Sequence, residues 1–428
     1  MSKHLSFSML LVGLSLIICG KTAAQAITIG GEVRTRTEVR NGAQAPLYDS
    51  LGTALVTVMR SRINMAYTTN EMKAKVVLQD THVFGQTSPT ALSTSTLGVY
   101  EAWGEYLLSP GLSFAIGRQA IEYDDKRLIS ASNWSNTGNA HDLALLKYTS
   151  TDFTIHLGAA WNNATDTYQE TTYTTSYKSM AYIWAAKPLG DFNLTGLWIN
   201  EGYLRTNANA ILQQGLTNYD RKWYRNTIGG NLGYSAENFP VTFYGTGYYQ
   251  FGHGTTGKEL DAYLLAYKLQ AKASKKVAFD LGTDYFSGSK YDIASTEDHT
   301  FNKLFGSNHT FNGSMEYWKS LPKGGLVDLY FGPEVTIGSK LKAEASYHAF
   351  SLAQQYSKTA YHKGLGSELD LTFTYPVSPT LALQGGWSGY FTNGLENTIK
   401  SLKTNLDKQF PQWAFIMITF KPTFLSVK

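Results

Sequence analysis

Every second link between the alternating segments of this chain is a tight turn, and that constrains the fold more than any single motif. Eighteen runs of period-2 alternation follow one another, at roughly 27–40, 54–68, 72–83, 97–108, 112–122, 140–149, 153–162, 178–187, 192–200, 222–235, 240–252, 259–271, 277–287, 327–337, 341–352, 364–376, 380–391 and 411–422. Most are ten residues or longer, against about five or six in soluble proteins and about 9–11 for a tilted strand crossing a bilayer. Turns such as Thr69-Asn70-Glu71, Ser109-Pro110-Gly111, Pro188-Leu189-Gly190-Asp191 and Val377-Ser378-Pro379 alternate with long links at 84–96, 123–139, 163–177, 201–221, 288–326 and 392–410. His253 to Lys258 is the short exception. In lipid an open sheet edge would leave N–H and C=O groups unpaired, so such strands must close on themselves. The expected fold is therefore all-β: a transmembrane antiparallel up-and-down β-barrel of about 18 strands, with short periplasmic turns and long extracellular loops. A β-sandwich would not need strands this long or links that alternate in length. A β-helix would show a short repeat, and none is found.

The N-terminus agrees with this placement. Lys3 and His4 precede an apolar run from Leu5 to Cys19, followed by small residues up to Ala26. That pattern predicts a signal peptide over 1–26, cleaved near 24–26, and a barrel domain over 27–428. Cys19 is the one cysteine, so the expected mature chain has neither disulfide nor thiolate chemistry. Charged residues make up only 16% and aromatics 14%, whereas soluble domains carry about 25% charged residues. The expected location is the outer membrane of a Gram-negative cell. Outer-membrane lipid surrounds such a barrel and the barrel-assembly machinery inserts it. A net charge of +4 is too small to argue for nucleic acid.

Alternation also sorts side chains to two faces. Val277, Phe279, Leu281 and Tyr285 share a face opposite Asp280, Gly282 and Asp284. All ten arginines lie at or before position 225. Arg34, Arg36, Arg60, Arg62, Lys75 and Arg225 are expected to line the pore, with Glu101 and Glu105 as pairing partners. Late strands contribute mainly acids: Asp280, Asp284, Asp328, Glu334, Glu344, Glu368 and Asp370. A water-filled lumen with a basic and an acidic sector is one outcome. Cross-strand neutralisation of Arg by Glu is the other.

The segment Ile116 to Asp142 carries Gly117-Arg118-Gln119, Tyr123, Asp124, Arg127-Leu128, Trp134 and Asp142. It resembles the alginate-export family of outer-membrane barrels, and the stretches beginning Gly30-Gly31-Glu32 and Met59-Arg60 are similar to that family's first strands. Asp124 stands where the family motif has Gly, and His141 where it has Phe. The resemblance implies an eighteen-stranded barrel that passes an acidic polysaccharide through a basic pore, with Arg118 inside. Strict alternation from Phe114 and Ile116 would point Arg118 outward, so a bulge or the start of the loop is expected to re-aim it. The segment 123–139 is read as a loop folded over the pore. Arg118 and Arg127 would pin it to Asp124, Asp125 or Asp142, with Trp134 also holding it.

No Ser, His and acid triplet has a recognisable catalytic context. His299, His309 and Glu316 match no metal-ligand spacing. No catalytic residue, cofactor or metal is assigned. The leading expectation is a channel for hydrophilic solutes, an anionic saccharide among them. A plugged barrel with a structural or partner-docking role and an outer-membrane enzyme are the alternatives.

Overall fold

The computed structural model describes residues 25–47, 51–86, 96–166, 168, 173–204, 222–294, 296–358, 362–400 and 410–427. Residues 1–24 of the expected signal peptide and most of the links 84–96 and 201–221 lie outside these residues, while Ala26 already opens the first strand.

The strands are β1 (Ala26–Asn41), β2 (Ala54–Thr68), β3 (Met72–Val83), β4 (Gly98–Ser109), β5 (Leu112–Gln119), β6 (His141–Thr149), β7 (Thr154–Trp161), β8 (Ser179–Leu189), β9 (Phe192–Leu204), β10 (Lys222–Tyr234), β11 (Val241–His253), β12 (Glu259–Ser274), β13 (Val277–Phe286), β14 (Glu297–Asp298), β15 (Leu326–Ile337), β16 (Leu341–Ser351), β17 (Gly364–Ser378), β18 (Leu381–Phe391), β19 (Gln412–Phe420) and β20 (Thr423–Val427). Setting aside the two-residue β14 and the short β20, each strand pairs antiparallel with its neighbours, and β19 returns to pair with β1. The result is a closed 18-strand barrel. β20 resumes after Lys421-Pro422 and pairs with the start of β1, from Ile27↔Val427 to Gly30↔Thr423.

Closure satisfies the backbone, and the pleat then sorts the side chains. Phe279 and Leu281 are half exposed on the outer face, whereas Ala278 and Asp284 on the same strand are buried. One irregularity breaks the alternation usefully. Between β3 and β4 the register shifts at Val77/Leu78, so Tyr100 has no partner across the ladder. Tyr100 and Glu101 are consecutive yet both buried, as a bulge allows.

Inward side chains are buried because two loops fold into the barrel. The first runs from Ala120 to Ala140 and the second from Ser287 to Gly325. They lie side by side: Phe305 N–H donates to the Leu128 carbonyl (2.9 Å), Ser130 N–H to the Phe305 carbonyl (3.1 Å) and Ser307 N–H to the Lys126 carbonyl (2.9 Å). The apolar core therefore sits between the wall and these loops. Tyr317 stacks on Tyr390 of β18 at 3.8 Å, and Trp318 Nε1 donates to the Tyr390 hydroxyl (3.0 Å). Trp413, Phe415 and Met417 of β19 point inward and are buried. The last strand is therefore apolar on both faces, with Ile416 and Phe420 turned outward.

Candidate functional site

The lumen is divided by charge. On β1 and β2, Arg34 and Arg60 stand directly opposite each other, a like-charge pair that costs stability unless something else offsets it. The first inward loop supplies the offset. Arg34 donates to the carbonyls of Asn133 (2.5 Å), Trp134 (3.1 Å) and Ser135 (3.0 Å). Arg60 donates to the carbonyls of Asn133 and Ser135 (both 3.1 Å) and to Asn133 Oδ1 (2.9 Å). Arg36 reaches the Trp134 carbonyl (2.8 Å) and lies over the Trp134 ring at 4.2 Å. Part of this charge is also neutralised by carboxylates: Arg60 pairs with Glu32 and Arg36 with Glu38. Arg34 forms no ion pair among the described residues. Arg62 donates to Gln79 (2.7 Å) and covers the Tyr100 ring at 3.8 Å.

A neighbouring sector of the wall, with β17 three strands from β1, holds the second loop by the reverse polarity. Glu368 of β17 accepts the Met315 N–H (2.8 Å) and Asp370 accepts the Ser314 N–H (3.0 Å). Gly313, at φ 84°, makes this approach possible, because a Cβ there would sit 2.6 Å from the Glu368 carboxyl. Asp328 faces His348 (2.9 Å). Arginines thus bind loop carbonyls in one sector and carboxylates bind loop N–H groups in the other. Lys75 pairs with Glu101 (2.5 Å), Lys147 with Glu105 (2.7 Å), and Lys342 with both Glu334 (3.1 Å) and Glu344 (2.5 Å).

The two loops meet face to face at Trp134 and His309, whose rings stack at 3.6 Å and 4°. Trp413 and Phe415 meet Trp134 edge-on. Burial and the nearby Arg36 charge bring His309 down to about 3, so it is neutral at neutral pH. Burial also lowers Lys303 to about 8 and raises Glu316 above the usual carboxylate range. A cavity of about 760 Å³ lies towards the short-turn end, and one of about 400 Å³ on the other side of the stack; His309 lines both.

Several expectations need correction. Arg118 does not face the lumen. The β5–β6 ladder runs without a break from Leu112↔Tyr148 to Gln119↔His141, so Arg118 shares the outward face of Phe114 and Ile116. There it pairs with Asp142 (2.8 Å), and both are exposed. Gly117, at φ 125°, is needed because a Cβ would collide with the Ala102 carbonyl. Asp142 therefore does not pin the loop. Asp124 is held by Trp184 Nε1 (2.9 Å) and the Tyr248 hydroxyl (3.1 Å) instead of an arginine. Burial raises its pKa, against the pull of those hydrogen bonds. Arg127 does pin the loop, through Asp125 (2.8 Å) and Asp284 (2.5 and 2.7 Å). Arg225 is fully occupied by Glu201, directly opposite it in register (2.9 and 3.0 Å). The sequence reading missed that partner because it ended β9 at residue 200, four residues early.

Sequence reasoning also missed that Arg34, Arg36 and Arg60 hold the first loop, since bonds to main-chain carbonyls leave no trace in residue type. Among the described residues, no three of His, Cys, Asp and Glu are placed to hold a metal ion. His299 is engaged with Asp261 and Glu297, each at 3.5 Å.

A sequence model for the family described as alginate export matches residues 25–394. None of the curated proteins matches the sequence. The fold is similar to solved structures of the outer membrane protein OpdK from Pseudomonas aeruginosa (11% identity, 94% of this chain and 99% of that one, TM-score 0.60) and OccAB2 from Acinetobacter baumannii (13%, 93% and 98%, 0.59). It is also similar to a BenF-like porin from Pseudomonas fluorescens (10%, 93% and 99%, 0.61).

Proposed function

We propose a function from one premise, that this chain belongs to the alginate export family: it is an outer-membrane channel that passes hydrophilic solutes through a lumen with two charge sectors of opposite sign. The observation that carries the reading is the contrast between the two sectors. Arginines of β1 and β2 hold one inward loop, and carboxylates of β17 hold the other. Those bonds end on backbone groups, which a polar solute can replace one at a time. The chain would reach the membrane by its N-terminal signal and be inserted by the barrel-assembly machinery.

The finer reading is an anionic saccharide as solute. Arg34, Arg36, Arg60 and Arg62 support it, because a carboxylate replacing a loop carbonyl would form a stronger, charge-assisted bond. Planar-bilayer conductance tests both levels. Expected are ion-selective currents that a polyuronate oligosaccharide reduces more than a neutral one of equal length. Equal permeability to small anions and cations, unchanged by Arg36→Ala or Arg62→Ala, would refute a selective role for the basic sector.

A second reading, a barrel plugged by its loops with a docking role, draws on the burial of Trp318, Tyr317 and Leu128 inside the wall. Liposome swelling separates the two: no flux of small sugars, with or without loop 287–325, would favour docking.

A further inference from the structure

The short turns at one end of the barrel carry their charges in two separate groups. Glu71, Asp152, Asp191 and Glu237 lie in the turns between β2 and β11, which hold no lysine or arginine. The turns after them hold no acid. Lys275 and Lys276 join β12 to β13, Lys340 ends the turn from β15 to β16, and Pro379-Thr380 joins β17 to β18. All of these charged residues are exposed, and none forms an ion pair among the described residues. The rim is therefore acidic first and basic later, the reverse of the lumen.

The lysine turns are neighbours in space. β13 pairs with β15, and Thr336 N–H donates to the Lys276 carbonyl (2.8 Å), which sets the two turns side by side. Lys340 Nζ reaches on to the Val377 carbonyl at the end of β17 (2.8 Å). Three ammonium groups thus share one sector of the rim without a carboxylate between them. What they border is apolar. Ile337 leads into the Lys340 turn and Phe279 lies three residues beyond Lys276, and both are exposed on the outer face, as are Phe331 and Phe373. Three residues of strand span about 10 Å, enough to run from the headgroup layer into the hydrocarbon.

We propose that Lys275, Lys276 and Lys340 form a binding site for an anionic phospholipid in the leaflet at the short-turn end. Its phosphates would lie against the three lysines and its acyl chains along Phe279, Phe331 and Ile337. A lipid with two phosphates fits best, since the site offers two cations from one turn and a third from the next. Turns this short hold the charges at the bilayer surface, where each lysine attracts anionic lipid, rather than projecting them towards a soluble partner. The acidic turns repel the same headgroup, so the site occupies one side of the barrel only. The inference needs the barrel to sit in a bilayer but does not need its lumen to conduct.

The test is lipid retention by the full barrel. Purified protein is mixed in detergent with cardiolipin and the zwitterionic phosphatidylethanolamine, washed on a column, and its bound lipid counted by mass spectrometry. The expected result is saturable retention of cardiolipin under washes that strip phosphatidylethanolamine. Replacing all three lysines (Lys275→Ser, Lys276→Ser, Lys340→Ser) should weaken it roughly a hundredfold. Arginine at the same three positions should keep it, and Glu71→Gln with Asp152→Asn, in the acidic turns, should leave it unchanged. Equal retention of the two lipids, or cardiolipin retention that survives the serine changes in a folded barrel, overturns the proposal. So does retention by the unaltered barrel that is indifferent to salt in the wash, a check that needs no variant to fold. A soluble polyglutamate that binds as tightly as cardiolipin also overturns it, and would mark the rim as a face for an acidic protein. Bilayer currents keep the channel reading apart: a silent barrel that retains cardiolipin removes the channel alone, and a conducting barrel that does not removes the lipid site alone.

Discussion

Replacing Arg60 by methionine is the most direct probe of how the first loop is held. Arg60 is 1% exposed and donates to Glu32, to the carbonyls of Asn133 and Ser135, and to Asn133 Oδ1. Bonds from a charged donor contribute about 1.5–3 kcal/mol each, but simple addition would overstate the loss. Arg34 also reaches both carbonyls, so they keep a partner. Asn133 Oδ1 and the Glu32 carboxylate do not keep theirs, apart from Lys421 at 3.8 Å from Glu32. The docked loop should therefore lose about 2–4 kcal/mol relative to a released one. At 1.4 kcal/mol per tenfold, hydrogen-exchange protection over 130–139 should fall by roughly thirty- to several-hundred-fold. Lys147→Met, which breaks a pair away from the loop, is the control. Protection within about threefold of wild type, in a barrel that remains folded, would refute the idea that the arginine ladder holds this loop.

Acidification should loosen the same region. His309 stays neutral down to about 3 when stacked on Trp134, whereas a released loop would protonate it near its usual value of about 6.5. The released state then binds the extra proton, so docking stability declines as pH falls from about 6.5 towards 3, by at most about 1.4 kcal/mol per pH unit. Trp fluorescence should report the change between pH 7 and 4, and His309→Gln should flatten it. Arg225→Met leaves the buried Glu201 carboxylate without this cation, with the Tyr203 hydroxyl still donating to it, and should destabilise the barrel by about 3–5 kcal/mol in urea unfolding. Removing both partners should restore most of that loss. Arg118→Ala should leave ion selectivity unchanged, since its side chain lies on the outer face beside Asp142; a shifted reversal potential would contradict that placement.

Strand number, closure and facing were legible from the amino-acid order, because a strand in lipid obeys local rules. Its length must span the bilayer, its side chains must alternate, and its backbone must find a neighbour. Even the outward Arg118 followed from plain alternation, and the error came from setting that rule aside. Partners were harder to read. Alternation alone ends β9 at residue 200, which leaves Glu201 in a loop and hides its pairing with Arg225. The use of Arg34 and Arg60 to hold carbonyls at 133–135 could not be seen at all, because every residue has a carbonyl. Sequence alone thus determined the cylinder and the sign of charge on each wall. Tertiary structure alone decided how two loops fold inside, which charges they consume and which remain facing a cavity. Those outcomes depend on contacts between segments 73 to 99 residues apart, and no local pattern encodes such a meeting.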